Sequence, residues 1–196
     1  MYSFCKVLLY YFFKVFFRFK IIGAEHIPAC GGVIIAANHI SLWDPPVIGA
    51  ACTRSINFMA KEELFSIGVF KWIITKLKAF PVRRGTADRT AIRYAISLLK
   101  NGEMLGAFPE GTRSITGELG KPEPGIAMIA LKAGSPIIPV GIIGTNKVFT
   151  GGCIFPQFVI KFGKPIIINE EKADKEMMEK ISNTIMQEIS CLLKER

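Results

Sequence analysis

His39 and Asp44 are the residues of this chain whose types and spacing are best suited to catalysis. A neutral imidazole becomes a directed base when a carboxylate holds one ring nitrogen, because the other nitrogen then carries the lone pair. His39 follows the apolar run 33–37, which is typical of a buried strand. α/β proteins place their chemistry at the carboxyl ends of such strands, so this pair indicates an enzyme. Asp44 has a second interpretation, since Pro45 and Pro46 favour a helix that its side chain could cap.

A second polar motif follows a second apolar run. Residues 104–107 are apolar, and the sequence Phe-Pro-Glu-Gly-Thr-Arg-Ser follows them at 108–114. Two polar motifs therefore come directly after two predicted strands, at the ends where α/β proteins place their chemistry.

Four short motifs lie in a fixed order along the chain. They are Asn-His-x-Ser-x-x-Asp-Pro at 38–45, Phe-Pro-Val-x-Arg at 80–84, Phe-Pro-Glu-Gly-Thr-Arg-Ser at 108–114 and Ile-Ile-Pro-Val at 137–140. In order and spacing they resemble the four motifs of the glycerophospholipid acyltransferase family, and the resemblance extends from about Lys20 to Lys164. Among its branches, the chain is most similar to the short, single-domain 1-acyl-glycerol-3-phosphate acyltransferases.

The resemblance implies a reaction. A fatty acyl group would move from acyl-CoA or acyl carrier protein to the free hydroxyl of 1-acyl-glycerol-3-phosphate, giving phosphatidic acid in phospholipid biosynthesis. It implies no cofactor beyond the acyl donor, and no metal.

The resemblance also implies roles for the first motif. His39 would act as general base on the acceptor hydroxyl, while Asp44 fixes the imidazole tautomer and stabilises its cation. The chain has no Gly-x-Ser-x-Gly motif and no cysteine in a nucleophile motif beside His39. Ser41 lies two places from His39, but such a serine is more often part of a turn or helix cap. We therefore expect the nucleophile to be the hydroxyl of the substrate.

A phosphate on the acceptor needs cations to bind it. Arg113 is the first candidate, because a guanidinium can bind two phosphate oxygens and Gly111 lets the backbone come close. Glu110 either bonds the glycerol backbone or orients Arg113 through an ion pair. The family positions of Lys61 and Arg84 imply two further cations, although Lys61 could instead be a solvated helix cap. The candidate substrate-binding residues are Lys61, Arg84, Glu110, Gly111, Thr112 and Arg113.

The composition favours one domain in a reducing compartment. The 196 residues are 50% apolar, which suffices for one substantial core, and no linker or repeat divides them. The five cysteines are an odd number, widely scattered and without zinc-binding spacing. This usage favours the cytosol.

The positive charge is concentrated in one half of the chain. Residues 1–93 hold 13 Lys and Arg against 5 Asp and Glu, and so carry +8 of the net charge of +9. Such a surface attracts nucleic acid or an anionic bilayer. No helix-turn-helix, zinc or aromatic RNA-binding signature accompanies the charge, so we expect membrane lipids and no nucleic acid as partners.

Residues 1–22 are predicted to form a membrane-associating helix ahead of an acyltransferase domain at 23–196. This segment is rich in aromatic and aliphatic residues, and no acidic residue precedes Glu25. On a helix, an arc of about 120° holds four polar residues and leaves out Lys20, near which the helix is expected to end, which suggests a helix lying in a membrane interface. The four residues are Ser3, Lys6, Lys14 and Arg18.

Two other interpretations of this helix stay open. A spanning helix is less favoured, because Lys14 and Arg18 would each cost about 2 to 3.5 kcal/mol near the bilayer centre. A core helix of a soluble domain is the other, since aromatic stripes usually pack inside proteins. We expect peripheral or monotopic attachment to the cytoplasmic face of the cell membrane.

The remaining apolar patterns predict an α/β domain. Strands are expected at 33–37, 56–60, 105–108, 137–143 and 158–162, and helices at 86–101, 125–133 and 169–195. Thr86 is a candidate cap, Gly102 and Gly134 are the expected helix stops, and Pro139 is expected at a turn or strand edge. Alternating strands and helices predict a layered fold, and the resemblance implies a central mixed sheet flanked by helices.

Two rival functions need an experiment to separate them. One is acyl transfer to another lysolipid or lipid-like acceptor. The other is a non-catalytic lipid-binding module, against which the intact set of His39, Asp44, Glu110 and Arg113 argues.

Overall fold

The computed structural model describes residues 1–83, 88–149, 153–168 and 174–195. Within these ranges, seven strands form one sheet, and six α-helices surround it. The strands are β1 (Lys20–Ile22), β2 (Val33–Ala37), β3 (Ile56–Lys61), β4 (Ala79–Val82), β5 (Met104–Ala107), β6 (Ile137–Ile143) and β7 (Val159–Phe162). The α-helices are α1 (Tyr2–Phe16), α2 (Asp44–Ala51), α3 (Gly68–Lys76), α4 (Arg89–Lys100), α5 (Gly125–Ala133) and α6 (Lys175–Lys194). Short 3-10 helices span Ala24–His26, Glu62–Ser66 and Thr145–Lys147.

The sheet is mixed, and its strands lie in the order β1-β7-β6-β2-β5-β3-β4. The five strands from β6 to β4 are parallel, whereas β7 pairs antiparallel with β6 and parallel with β1. Parallel neighbours end at the same edge of a sheet. The segments that follow β2, β3, β4, β5 and β6 therefore begin along one edge, where α/β proteins place their chemistry.

Helices cover both faces of the sheet. Val33, Ile35 and Ala37 of β2 pack on one face with α1 and α2, while Ile34 and Ala36 pack on the other with α4, α5 and α6. Every residue of β2 is fully buried, which explains the unbroken apolar run in the sequence. The expected layered α/β fold, with a central mixed sheet flanked by helices, is confirmed.

Five strands lie at the predicted runs, with some ends shifted by one residue. The two outermost strands, β1 and β4, are not predicted by the sequence. β1 has three residues, of which two are exposed, so it carries almost no periodicity. β4 contains Pro81, a residue that argues against a strand but is tolerated at a sheet edge.

Pro139 lies inside β6, which has neighbours on both sides, so the prediction of a turn or strand edge is wrong. Its carbonyl accepts a 2.8 Å hydrogen bond from Gly163 N. Val140 pairs with Phe162 but Ile137 pairs with Ile166, so the segment opposite Pro139 holds one extra residue. This β-bulge interrupts the ladder, and a residue without an N–H group is tolerated there.

Asp88 is the residue that caps α4. Its Oδ1 atom accepts hydrogen bonds of 3.1 Å from Thr90 N and Ala91 N, so the helix begins at Arg89, later than predicted. The candidate cap Thr86 lies outside the described residues. A short aspartate side chain satisfies two of the N–H groups that a helix start leaves without partners.

The glycines predicted to end two of the helices lie at those helix ends in the structure. Gly102 follows α4 with a φ of 79°, and Gly134 follows α5 with a φ of 62°, both left-handed values that favour glycine. Asp174 caps α6 through a 2.8 Å bond from Met177 N, and residues 169–173 of the predicted last helix lie outside the described ranges.

Helix α1 packs one side on the domain and exposes the other. Phe13 is fully buried, and Lys6 Nζ donates a 3.2 Å hydrogen bond to Thr53 O, so this cation faces the domain. Arg18 lies after the helix with a φ of 44°. The predicted polar arc is therefore not a single exposed face. The exposed side is mainly apolar: exposed Ser3 and Lys14 lie at its border, and its large apolar residues are Phe4, Val7, Leu8, Tyr11 and Val15. No helix in the described ranges is long and apolar enough to cross a bilayer.

Candidate active site

The ends of three parallel strands bring the described members of the predicted site to one edge of the sheet. His39 and Asp44 follow β2, residues 108–114 follow β5, and Lys61 is the last residue of β3. Arg84, after β4, lies outside the described residues. A 3-10 helix that begins at Thr145 follows β6 and adds a residue that the sequence analysis did not include.

The His39 imidazole contacts the Asp44 carboxylate directly. His39 Nδ1 lies 2.8 Å from Asp44 Oδ2, and both residues are buried. An ionised carboxylate only accepts hydrogen bonds, so Nδ1 carries the proton and Nε2 carries the lone pair of the neutral ring. The geometry is that of an imidazole oriented to act as a base through Nε2.

Asp44 also organises the backbone of its own loop. The same Oδ2 atom accepts hydrogen bonds of 2.7 Å from Ile40 N and from Ser41 N. Asp44 is the first residue of α2, and its oxygens bond the preceding loop, so the pairing interpretation holds and the capping one does not. Ser41 Oγ accepts a 3.3 Å hydrogen bond from Trp43 N, which is the turn role expected of it.

Thr145 donates the remaining hydrogen bond to Asp44. Its Oγ1 lies 2.6 Å from Asp44 Oδ1, and the residue is 1% exposed. The sequence signal for Thr145 is weak, because a lone threonine after a strand matches no motif. Its position at the end of a parallel strand is the feature that could have identified it.

The imidazole ring of His39 stacks on Phe108. The ring centroids are 3.9 Å apart and the planes meet at 16°, so Phe108 limits rotation of the imidazole. Among the described residues, His39 Nε2 has no hydrogen-bond partner, and no buried side-chain nitrogen or oxygen lacks one. Nε2 is therefore accessible from the outside, as a base that must reach a substrate requires.

Asn38 ties the histidine loop to β6. Its side chain donates to Ile142 O at 3.0 Å and accepts from Ile142 N at 2.7 Å, and Asn38 is 2% exposed. The side-chain amide thus makes the two hydrogen bonds to the β6 backbone that a paired strand residue would make, one residue beyond the end of β2. This contact attaches the residue before His39 to β6.

Glu110 bonds backbone groups with both of its oxygens. Oε1 accepts from His39 N at 3.0 Å, and Oε2 accepts from Gly120 N at 2.9 Å. No ion pair joins it to Arg113 in the part of the chain that the structure describes. The carboxylate is buried and links the histidine loop to residues 111–124, which is a third arrangement beside the two expected from the sequence.

Arg113 lines a pocket beside the histidine loop. The pocket has a volume of about 230 Å³, and its lining residues are Ile40, Ser41, Leu42, Trp43, Arg113, Thr145, Asn146 and Val148. Gly111 has a φ of 68°, a left-handed conformation that gives the turn before Arg113 its shape. Arg113 and Thr112 are exposed. Exposed Arg113 thus lines a pocket that shares three residues, Ile40, Ser41 and Thr145, with the contacts of Asp44.

Lys61 lies at the same sheet edge but is engaged elsewhere. Its Nζ is 2.9 Å from Glu63 Oε1, and its side chain is half exposed. Arg83, beside it, donates a 2.9 Å bond to Glu62 Oε2, and this contact raises the pKa of Arg83 above its ordinary value. Within the described ranges, no hydrogen bond or ion pair joins Lys61 to His39 or Arg113, so a substrate role for Lys61 and Arg84 stays a prediction.

The chain is similar to known acyltransferases over most of its length. Residues 18–143 match the Acyltransferase family. A 1-acyl-sn-glycerol-3-phosphate acyltransferase of Bacillus subtilis is 35% identical over 151 residues, which are 75% of this chain and 73% of that protein. The Streptococcus pneumoniae protein of the same name is 35% identical over 163 residues, 81% of this chain but 60% of that longer protein.

A solved structure shares the fold. The crystal structure of the 1-acyl-sn-glycerophosphate (LPA) acyltransferase PlsC from Thermotoga maritima aligns with a TM-score of 0.76 at 30% identity. The alignment covers 100% of this chain and 82% of that one. Fold, motif geometry and sequence similarity agree, and the chain therefore belongs to the acyltransferase family.

Proposed function

We propose that this protein transfers a fatty acyl group from a thioester donor to the free hydroxyl of 1-acyl-glycerol-3-phosphate, giving phosphatidic acid. The donor is acyl-CoA or acyl carrier protein. The observation that carries the proposal is the 2.8 Å contact of His39 Nδ1 with Asp44 Oδ2, which leaves the Nε2 lone pair accessible. The similarity to enzymes named for this reaction supports the choice of acceptor.

In the proposed mechanism, His39 Nε2 removes the proton of the acceptor hydroxyl as its oxygen attacks the thioester carbonyl. The Asp44 carboxylate stabilises the imidazolium that forms. Collapse of the tetrahedral intermediate breaks the C–S bond and expels the thiolate of the donor, which takes up the acceptor's proton from Nε2. The thioester is already activated, so the reaction needs no cofactor beyond the donor.

Arg113 is the proposed ligand of the acceptor phosphate. Its exposed guanidinium lies at a pocket that also includes Ser41 and Trp43, so a phosphate bound there lies beside the histidine loop. A guanidinium binds two phosphate oxygens at once and fixes the orientation of the acceptor. Holding the two reactants in place is itself a large part of catalysis in a transfer reaction.

The exposed apolar side of α1 supports peripheral attachment to a membrane. Phe4, Leu8, Tyr11 and Val15 are each at least 60% exposed, although Phe13 of the same helix is fully buried. An amphipathic helix that packs one side on a domain can bury the other side in the interface of a bilayer. The lysophospholipid acceptor and the product reside in such a bilayer, so we propose that the protein works at the cytoplasmic face of the cell membrane.

Acyl transfer with pure protein tests the proposal. Radiolabelled 1-acyl-glycerol-3-phosphate is incubated with acyl-CoA or acyl carrier protein, and labelled phosphatidic acid is measured. The His39→Ala variant should lose at least about 10³-fold in kcat, because general base catalysis contributes about 10² to 10⁴ and the stacked ring is lost as well.

A matched control is available in the other histidine of the chain. His26 bonds Phe162 O through its ring, away from the catalytic loop, and His26→Gln should retain activity within a few-fold. Turnover of His39→Ala within a few-fold of the wild type would defeat the assignment. Product formation with other lysolipids but none with 1-acyl-glycerol-3-phosphate would reassign the acceptor, and saturable vesicle binding without any turnover would favour a binding module.

A further inference from the structure

Helix α3 exposes an apolar side that the fold does not use. Val69 is 76% exposed, Trp72 57% and Ile73 40%, and Ile67, just before the helix, is 57% exposed. Positions 69, 72 and 73 lie on one side of a helix, because residues three and four apart are neighbours. None of the described side chains of α3 is buried, and none belongs to either core cluster.

The polar residues of α3 carry charge of one sign. Lys71 and Lys76 are exposed, and the sequence of α3, from Gly68 to Lys76, contains no acidic residue. Lys78, the next cation, is different, because it is partly buried and bonds Ser55 and Glu103. α3 thus combines an exposed tryptophan, two aliphatic side chains and two unshielded lysines, the composition of a helix that binds an anionic interface.

Helix α3 lies on the same side of the sheet as α1. The connections β2-α2-β3 and β3-α3-β4 both join parallel strands and both move in the same direction across the sheet. Such connections are right-handed in about 98% of cases, which places α2 and α3 on the same face. Val47 and Ile48 of α2 pack in one cluster with Phe13 of α1, so α1 lies on the same face of the sheet as α2 and, from the handedness of the connections, as α3.

We propose that α3 is a second contact with an anionic bilayer, in addition to α1. Val69, Trp72 and Ile73 enter the interface, while Lys71 and Lys76 bind lipid phosphates. The proposal deepens the proposed function, because it rests on a membrane-bound acceptor. A single helix lets a protein roll about the helix axis, whereas two separate contacts on one face of the sheet fix the orientation of the catalytic edge relative to the bilayer.

The fluorescence of Trp72 tests the contact directly. The chain has two tryptophans, so Trp43→Phe leaves Trp72 as the sole reporter. Vesicles of equal parts phosphatidylglycerol and phosphatidylcholine are prepared with brominated acyl chains, which quench a tryptophan that enters the bilayer. Trp72 emission should shift to shorter wavelength and be quenched. An unquenched, unshifted Trp72 in protein that sediments with the vesicles would overturn the proposal.

Charge removal gives a second, quantitative test. Each lysine near an anionic surface contributes about fivefold to vesicle affinity, so Lys71→Gln with Lys76→Gln should weaken binding about 25-fold at low salt. The matched control removes two exposed cations of α4 on the opposite face, Arg93→Gln and Lys100→Gln, and should change affinity less than twofold. Equal losses in both double variants would contradict a specific surface on α3.

The activity readout separates this proposal from the proposed function. Transfer to a short-chain, micelle-free acceptor in solution should be the same in the Lys71→Gln, Lys76→Gln variant and the wild type, with acyl-CoA as donor. If the wild type shows no transfer, the proposed function fails while the vesicle experiment still decides the role of α3. If the variant loses activity only with acyl carrier protein and binds vesicles normally, α3 is a dock for the acidic carrier and the membrane assignment is wrong.

Discussion

Thr145 and Asp44 are 101 residues apart in the chain and share a buried hydrogen bond of 2.6 Å, from the threonine hydroxyl to Oδ1 of the carboxylate. With His39, Ile40 and Ser41 on Oδ2, the carboxylate accepts hydrogen bonds from four donors. A carboxylate held in this way cannot rotate, so the ring that it bonds has one orientation. The segments after β2 and β6 thus define the direction of the imidazole together.

Replacing Thr145 with Val should therefore impair turnover more than binding. Valine has nearly the same shape, but Asp44 Oδ1 loses its donor in a buried site, which should lower the free energy of unfolding by about 1.5 to 3 kcal/mol. Because small misplacements in an active site are costly, kcat should fall about 10- to 100-fold with little change in the KM of either substrate. Thr145→Ser keeps the hydroxyl and should stay within a few-fold of the wild type. Equal kinetics of the Ser and Val variants would show that the hydrogen bond does not matter.

The Asp44→Asn variant should fold and lose activity, whereas Asp44→Ala should unfold much more easily. The amide oxygen of asparagine can keep the three N–H donors on the side of His39, while its NH₂ group donates to Thr145, whose hydroxyl can reverse and accept. Alanine leaves all four donors without a partner, at about 1 to 3 kcal/mol for each buried group.

Thermal melting of both Asp44 variants checks the difference in stability. In the acyl transfer assay, Asp44→Asn should lower kcat by about 10²-fold, less than His39→Ala, because the base remains in place without its charged partner. Equal melting temperatures of the Asn and Ala variants would contradict the reversed hydroxyl.

Glu110→Gln should act through the position of the loops. Both oxygens of Glu110 accept from N–H groups, of His39 and of Gly120, and glutamine offers one acceptor and one donor. One buried hydrogen bond is lost, so we expect a loss of about 1 to 3 kcal/mol in the free energy of unfolding and a lower kcat with an unchanged acceptor KM. Glu118→Gln, an exposed carboxylate in the same segment, is the control. An increase in acceptor KM with normal stability would instead indicate direct contact of Glu110 with the glycerol backbone.

Arg113→Lys should weaken binding of the acceptor and leave binding of the donor unchanged. Lysine keeps the charge but loses the planar pair of donors that binds two phosphate oxygens, so the acceptor KM should rise about 10-fold while the donor KM stays the same. Steady-state kinetics with each substrate varied in turn measure both constants. Arg93→Lys on α4, on the opposite face, makes the same substitution at an exposed arginine and should leave both constants unchanged. A change confined to the donor KM would make Arg113 a donor contact.

The Asp88 cap should make the free energy of unfolding depend on pH in the acidic range. Hydrogen bonds from the backbone N–H groups of Arg83, Ala91 and Thr90 lower the pKa of Asp88 below its ordinary value of 3.8. The unfolded chain therefore takes up this proton at a higher pH than the folded chain does. The contribution of the ionised Asp88 carboxylate to the free energy of unfolding is complete above about pH 5. It declines as the pH falls through the ordinary pKa of 3.8 and is lost below the lowered pKa.

Melting curves of wild type and Asp88→Ala check this dependence. At pH 7 the variant should melt about 2 to 4 °C lower, the usual effect of losing a helix cap in a chain of this size. The difference should shrink as the pH falls toward 3. A difference that is constant from pH 7 to 3 would mean that the charged carboxylate contributes nothing to the cap.

Local patterns in the sequence were sufficient to predict most strands, several helix ends and the main candidate site residues. The buried strands β2 and β6 appear as unbroken apolar runs, because a central strand of a parallel sheet is covered on both faces. The glycines after α4 and α5 mark helix ends, because a left-handed residue is needed there. The spacing of His39 and Asp44 and the motif at 108–114 predicted the catalytic and binding residues, because the residues of each motif lie close together in the chain.

Only the tertiary structure decided which distant groups complete the site. Thr145 bonds Asp44 and Glu110 bonds His39 because parallel strands far apart in the chain end at one edge of the sheet. The same holds for α1, in which Lys6 faces the domain and an apolar side stays exposed, since a helical pattern does not reveal which apolar side packs. Periodicity records neighbours within one element, whereas strand order in a sheet brings residues from opposite parts of the chain into contact.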